Sequence, residues 1–83
     1  MYFDKTEKDY ISMIEYRVKL FNKKRQNGLA IRPERLDVHY YVSGGNKALI
    51  LWNGSTVAGD LNICETFFFI SGFIRAMEAA ENV

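Results

Sequence analysis

The sequence predicts an α+β protein in which a helix, a three-stranded antiparallel meander and a second helix follow one another. Two patterns predict this order: an amphipathic segment with a helix cap near each end of the chain, and alternating apolar and polar residues between them. Because there is one sheet, both helices are expected to cover the same sheet face. At 83 residues, the chain (1–83) is expected to form a single domain with a small core.

The first helix is expected to begin near Lys5 or Glu7, because capping-box patterns at Asp4–Glu7 and Thr6–Asp9 precede its apolar residues. Asn27-Gly28 is the predicted stop. The apolar arc of this helix spans roughly 220°, which is wider than a helix lying on a sheet requires. Its members are Tyr10, Ile11, Met13, Ile14, Tyr16, Val18, Leu20 and Phe21.

Arg17 lies within this apolar arc. Its side chain is expected either to extend along apolar neighbours to water or to pair with a carboxylate such as Glu78 across a helix interface. After the helix, Pro33 prevents helical continuation and favours an extended connection.

Three strands are predicted between the helices. Leu36–Val42 alternates apolar and polar residues, Ser43–Asn46 is a turn, and Lys47–Trp52 is the second strand. Asn53-Gly54 predicts a type I′ hairpin turn, because both of its positions need a positive φ. Ser55–Gly59 then returns as a short third strand. The sheet face turned away from the helices would carry Asp37, His39, Tyr41, Lys47, Leu49 and Leu51.

The second helix is predicted over Asn62–Ala80, with Asn62 as N-cap and Glu65 as its capping-box partner. One stripe at helical spacing predicts the face that anchors the helix to the core. Its members are Ile63, Phe67, Ile70, Ile74 and Met77.

The apolar side chains of this helix extend beyond the stripe. Phe68 points away from it, and Gly72 would allow another backbone to approach closely. This excess fits either ordinary exposure of apolar surface by a small domain or contact with a second subunit or another protein. We favour the second interpretation and expect a homodimer. The interface candidates are Tyr16, Leu20, Phe68, Phe69, Gly72 and Phe73.

The net charge of +1 conceals an asymmetry along the chain. Residues 1–35 hold nine Lys and Arg and five acidic residues, a net +4, whereas residues 36–83 hold two and five, a net −3. Basic residues at the end of the first helix offset its dipole, and they also indicate an alternative function as a nucleic-acid-binding regulator. The nucleic-acid candidates are Lys19, Lys23, Lys24, Arg25, Arg32 and Arg35.

Catalytic and metal-binding functions have weak support in the sequence. Cys64 is the only cysteine and His39 the only histidine, so neither a Cys-rich zinc site nor an internal disulfide is expected. An enzyme would require the fold to bring Cys64 and His39 together as a nucleophilic pair. We expect no catalytic residues, no metal and no cofactor. The charged start and the lack of a long apolar run predict a cytoplasmic protein without membrane contact.

The segment from Lys47 onward, KALILWNGSTVAGDLNICETFFFISGFIRAMEAA, resembles a pattern in small orphan proteins of phages and mobile elements. In these proteins a strand–NG–strand hairpin leads into a capped helix with an apolar, Gly-containing face. The resemblance implies a non-catalytic accessory protein that binds a host component or itself. It covers roughly the last 37 residues and marks no catalytic residue. The sequence therefore predicts a small interaction or regulatory module.

Overall fold

The computed structural model describes residues 1–26 and 34–81. Helix α1 spans Lys5–Gln26 and helix α2 spans Ile63–Glu81, and three strands lie between them: β1 (Leu36–Val42), β2 (Asn46–Trp52) and β3 (Ser55–Asn62). The α+β class and the order of elements are confirmed. The predicted stop of the first helix at Asn27-Gly28 and the predicted extended connection at Pro33 lie outside the described residues.

Both helices begin with a reciprocal capping box. At α1, the Glu7 N–H donates to Asp4 Oδ1 at 2.8 Å, and the Asp4 N–H donates to Glu7 Oε1 at 3.1 Å. At α2, the Glu65 N–H donates to Asn62 Oδ1 at 2.8 Å, and the Asn62 N–H donates to Glu65 Oε1 at 2.9 Å. Of the two overlapping boxes predicted for α1, the chain uses the one that starts at Asp4. These bonds satisfy backbone donors that a helix leaves unpaired in its first turn.

The three strands form an antiparallel meander in the order β1-β2-β3. β1 pairs with β2 without interruption from Leu36 opposite Trp52 to Val42 opposite Asn46. At the β2–β3 turn, Asn53 and Gly54 have φ values of 54° and 83°, as the predicted type I′ geometry requires.

β3 continues to Asn62, three residues beyond the predicted end at Gly59. Its pairing with β2 shifts twice: Val57 is an extra residue between two paired positions, and Gly59 with Asp60 lies opposite Leu49 alone. Asp60 has a φ of 58°, which is an uncommon conformation for a residue other than glycine. These shifts are β-bulges. They allow β3 to continue through Gly59 and Asp60, two residue types that are typical of turns.

Both helices pack against one face of the sheet, where they form a single core with it. Fully or almost fully buried members come from every layer: Ile14, Phe21, Leu36, Ile50, Ile63 and Ile70. The predicted stripe of α2 is confirmed, because each of its members is buried or packs against this cluster.

The two helices run in the same direction. The Tyr10 ring of α1 contacts Phe67, near the start of α2, with ring centroids 5.4 Å apart. At the other end of α1, Arg25 forms an ion pair with Glu81 at the end of α2. The start of α1 therefore contacts the start of α2, and the end of α1 contacts the end of α2. The two helix C-termini lie at the same end of the molecule.

Trp52 closes the core at this end. Its ring lies 5.8 Å from the Phe21 ring and 5.3 Å from the Phe73 ring, centroid to centroid. The Arg25 guanidinium stands over the Phe21 ring at 4.3 Å and over the Trp52 ring at 5.4 Å. One aromatic cluster thus joins α1, β2 and α2.

Candidate interaction surfaces

The outer side of the helix pair exposes large apolar side chains. Tyr16 is 66% exposed and Phe68 is 63% exposed, and Met13 and Leu20 of α1 are exposed as well. Met13, Tyr16 and Leu20 are separated by three and four residues, so they share one side of α1. We call Met13, Tyr16, Leu20 and Phe68 the helix-pair surface.

Arg17 links the two halves of the helix-pair surface. Its guanidinium lies over the Phe67 ring of α2 at 5.2 Å, and the Phe67 ring meets the Phe68 ring edge to face at 5.4 Å. Among the described residues Arg17 forms no ion pair, so the predicted pairing with Glu78 is absent there. The Arg17 cation of α1 and two edge-to-face rings of α2 therefore connect the two helices on their solvent side.

The remaining interface candidates lie around the side of α2. Phe73 is half-buried against Phe21 and Trp52, and Phe69 stacks on Phe73 with ring centroids 6.3 Å apart. Both rings therefore pack against the core of a single copy. Gly72 is exposed, and a Cβ added to it would meet no atom of the described residues within 4 Å. In that part of the chain, no close approach requires a glycine at this position.

The basic end of α1 is partly occupied by structural contacts. Arg25 is largely buried and forms ion pairs with Glu34, at 3.0 Å, and with Glu81. Arg35 donates to Asp37 Oδ1 at 2.9 Å. Arg32 lies outside the described residues. The candidates that are exposed, with no ion pair in the described part of the chain, are Lys19, Lys23 and Lys24.

The parallel arrangement gives these basic residues a structural role. The C-termini of α1 and α2 both place partial negative charge at the same end of the molecule. Arg25 lies between them and pairs with Glu81 of α2. The last turn of α1 carries Lys23, Lys24 and Arg25, whereas the last turn of α2 carries no basic residue. Basic charge at the end of α1 therefore offsets the dipoles of two helices.

The structure does not bring His39 and Cys64 together. His39 is exposed on the sheet face that points away from the helices, and Cys64 is half-buried in the first turn of α2 on the other face. Hydrogen bonding to the Cys64 side chain is the main cause of a raised pKa at Tyr10. Within residues 1–26 and 34–81, no group of three or more His, Cys, Asp or Glu side chains is placed to hold a metal ion.

The outer sheet face is partly covered by Tyr41. The Tyr41 hydroxyl donates to Asp60 Oδ1 at 2.6 Å and accepts from the Asp60 N–H at 3.0 Å. Because β2 separates β1 from β3, the Tyr41 side chain crosses the middle strand. The bond to the Asp60 carboxylate is the main cause of a raised pKa at Tyr41.

A cleft of about 540 Å³ lies between α1 and β1. Its apolar side chains include Ile14, Val18 and Val38, and Lys19 and Lys23 are among its charged ones. Sequence reasoning did not find this site.

The cleft contains a buried polar side chain, Asn22, and a buried hydroxyl, that of the half-buried Tyr40. Asn22 of α1 is 6% exposed, and it bonds the backbone of Leu36 in β1. The Tyr40 hydroxyl is buried without a hydrogen-bond partner among the described residues. Burial, with a further contribution from the Glu15 carboxylate, raises the pKa of Tyr40 to about 12. The only sequence feature that could have indicated the cleft is Asn22, a polar residue four positions after Val18 on the apolar side of α1.

No protein-family model matches this chain, and no match was found among curated proteins or solved structures. Neither helix, over the residues that the structure describes, is both long and apolar enough to cross a membrane.

Proposed function

We propose that this protein is a small non-catalytic interaction module that forms a homodimer through the helix-pair surface. The observation that carries the proposal is the exposure of Phe68 and Tyr16, at 63% and 66%, on helices whose other faces already complete the core. An apolar aromatic ring of this size gains most when a second surface removes it from water.

The size of the domain supports self-association. A chain of 83 residues buries a smaller share of its surface than a larger protein does, so its own core supplies little stability. Dimerisation stabilises the folded state by mass action. A two-fold dimer would place the helix-pair surface of one copy against the same surface of the other.

The composition of the helix-pair surface is typical of protein interfaces. Tyr, Phe, Met and Arg are enriched in them, and Lys, Glu and Ala are depleted. Arg17, exposed and held over Phe67, places a cation beside the helix-pair surface. Tyr16 and Phe68 are the aromatic side chains that such an interface would bury.

Sedimentation equilibrium of the wild-type chain and of Phe68→Ser at micromolar concentration tests this proposal. We expect a dimer for the wild type and at least a tenfold weaker dimer for Phe68→Ser. Val42→Ser is the matched control, because Val42 is also 63% exposed but lies at the end of β1, away from the helix-pair surface. A monomeric wild type would reject the homodimer, and equal loss of dimer in both variants would reject the helix-pair surface as its interface.

The resemblance of the segment from Lys47 onward to phage and mobile-element proteins agrees with this proposal. An accessory protein that acts in the cytoplasm by binding itself or a host protein needs exposed contact surface rather than an active site. The helix-pair surface provides such a contact.

The alternative function is nucleic-acid binding by the basic end of α1. The observation that favours it is the exposure of Lys19, Lys23 and Lys24 without ion pairs among the described residues. Affinity for duplex or single-stranded DNA should then fall steeply between about 50 and 200 mM salt and weaken in Lys24→Glu. Absence of binding at low salt would remove this alternative.

A further inference from the structure

The outer edge of β1, which pairs with no other strand in the described part of the chain, presents backbone groups to the cleft. The Asn53 N–H donates to the Arg35 carbonyl at 2.8 Å, so Arg35 faces the middle of the sheet. Hydrogen-bonding direction alternates along a strand. Asp37, His39 and Tyr41 therefore bond to β2, whereas Leu36, Val38 and Tyr40 direct their N–H and C=O groups outward. The outward-facing positions are the ones beside α1 and the cleft.

Asn22 already occupies the first of these positions. Its Nδ2 donates to the Leu36 carbonyl at 2.8 Å, and its Oδ1 accepts from the Leu36 N–H at 2.9 Å. A side-chain amide has the same donor and acceptor as a peptide unit. Asn22 therefore bonds to Leu36 as one residue of a neighbouring strand would.

The next two positions are open. Among the described residues, no side chain bonds to the backbone of Val38 or Tyr40 in this way. Both residues line the cleft of about 540 Å³, a volume within the usual range of ligand sites. Ile14 and Val18 line it from the side of α1. An extended chain placed here would find backbone partners beside an apolar surface.

We propose that this cleft binds an extended peptide segment of a partner protein by strand addition to β1. The segment pairs with the backbone of Val38 and Tyr40, places an apolar side chain against Val18 and Val38, and places an acidic side chain beside Lys19 and Lys23. The proposal adds a partner site to the interaction module and is independent of its dimer surface.

The charges of the cleft select the acidic side chain. Arg35 and Asp37 neutralise each other. Lys19 and Lys23 form no ion pair in the described part of the chain, so a carboxylate gains attraction there. Glu15, near Tyr40, repels a second carboxylate elsewhere in the cleft.

The Tyr40 hydroxyl supplies a donor for the segment. It is buried and lacks a partner among the described residues, a state that costs free energy. Because the Tyr40 pKa is raised to about 12, the hydroxyl keeps its proton at neutral pH. A backbone carbonyl of an extended segment is an acceptor of the right type.

A peptide suits this edge better than a second copy of the chain does. A second copy pairing through its own β1 would bring its own α1 to the same edge, where the first α1 already lines the cleft. A peptide segment carries no such helix. Peptide addition to an exposed sheet edge is a common mode of recognition, in which backbone bonds give affinity and side-chain contacts give selectivity.

The first experiment selects from a displayed library of random dodecapeptides on the wild-type chain, with counter-selection on Val38→Pro. Proline at Val38 removes an outward N–H and leaves the pairing of His39 with β2 in place. We expect enriched sequences with alternating apolar residues and an adjacent Asp or Glu. The synthetic peptide should slow hydrogen exchange at the Val38 and Tyr40 amides.

The second experiment measures the affinity of the enriched peptide by titration calorimetry. Tyr40→Phe should weaken binding roughly 2- to 12-fold, the contribution of one neutral hydrogen bond, without lowering the thermal midpoint. Lys19→Glu with Lys23→Glu should weaken it at least tenfold. Lys24→Glu is the single-site charge control and should bind as the wild type does, because Lys24 does not line the cleft.

Three outcomes would overturn the proposal: no enrichment on the wild-type chain, equal binding of the peptide to Val38→Pro, or loss of self-association in Val38→Pro. The last would assign the edge to a second copy. Phe68→Ser separates the two proposals, because it should lose the dimer and still bind the peptide.

Discussion

The two edges of the sheet differ in regularity. β1 pairs with β2 through seven consecutive positions without a shift. β3 contains two bulges, and Asp60 within it has a φ of 58°. Bulges on an edge strand twist its backbone away from pairing with another chain. The conformation of β3 therefore protects it from pairing with another chain. β1 has no such bulge, and only groups of neighbouring elements can cover its edge.

This difference bears on where we propose new backbone contacts. On β1, Asn22 covers the outward groups of Leu36, and within residues 1–26 and 34–81 no side chain covers those of Val38 and Tyr40. β1 also lacks the lysine and proline that commonly protect an edge strand. The regular edge is thus the one at which we propose recognition, and the irregular edge is the one that discourages it.

The largest effect is expected from Asn22→Ala. This change leaves the Leu36 N–H and C=O without partners at a buried position, which should lower the free energy of unfolding by about 2–4 kcal/mol. Urea unfolding followed by circular dichroism measures it. Asn46→Ala is the control, because Asn46 bonds to Tyr2 and Glu7 in a more exposed setting and should cost less than about 1 kcal/mol. Equal losses would show that Asn22 has no special role at the edge.

The second-largest effect on stability is expected from backbone strain at Asp60 in β3. Asp60→Val places a β-branched residue at a φ of 58°, which should cost about 1–3 kcal/mol beyond the cost of Asp60→Gly. Both variants lose the carboxylate that accepts from Tyr41, so their difference isolates the backbone term. Thermal unfolding of the pair gives that difference. If the two variants were equally stable, the bulge would not require a residue in the left-handed backbone conformation at position 60.

Tyr41→Phe removes the side-chain connection between the two edge strands. Two hydrogen bonds with Asp60 are lost in an exposed setting, where water can replace both, so we expect a total loss of about 0.5–1.5 kcal/mol. Urea unfolding at neutral pH measures it. A loss above about 3 kcal/mol would mean that Tyr41 holds β3 in place rather than only covering the outer face.

Tyr40→Phe should have the smallest effect at neutral pH. The Tyr40 hydroxyl lacks a partner among the described residues, so its removal should leave stability unchanged or slightly higher. At high pH the Tyr40 hydroxyl lowers the stability of the wild type. Because the folded-state pKa is about 12 and the unfolded value about 10, the wild type loses stability as the pH rises through this window. The variant should show a shallower decline in thermal midpoint, and parallel declines would contradict the burial of the hydroxyl.

Local patterns explain why most of the fold was predictable. The capping boxes at Asp4 and Asn62 join residues three apart, and the type I′ turn needs only Asn53-Gly54. Alternation defines β1 without reference to its neighbours. Each signal and the structure that it specifies lie within the same few residues.

Long-range contacts explain what was missed. Asn22 and Leu36 are 14 positions apart, and nothing near Asn22 in the sequence indicates its partner. The end of β3 was misplaced because Gly59 and Asp60 are typical of turns, whereas the sheet accommodates them as a bulge. Phe73 remains a predicted interface residue, and its contact with Trp52, which the sequence does not indicate, packs it partly against the core.

The candidate surfaces also divide into a predictable local part and an unpredictable long-range part. An excess of apolar residues on both helices was readable from spacing, and Tyr16, Leu20 and Phe68 are exposed in the structure. The cleft was not readable, because its lining combines residues of α1 with the edge of β1.

Trp52 gives the molecule a built-in optical reporter. It is the only tryptophan of the chain, and it lies where α1, β2 and α2 meet, against Phe21 and Phe73. Its emission should shift to longer wavelength when the aromatic cluster opens to water. Because Trp52 does not line the cleft, a peptide bound along β1 should leave that emission almost unchanged. Intrinsic fluorescence therefore distinguishes unfolding from ligand occupancy in one unlabelled sample.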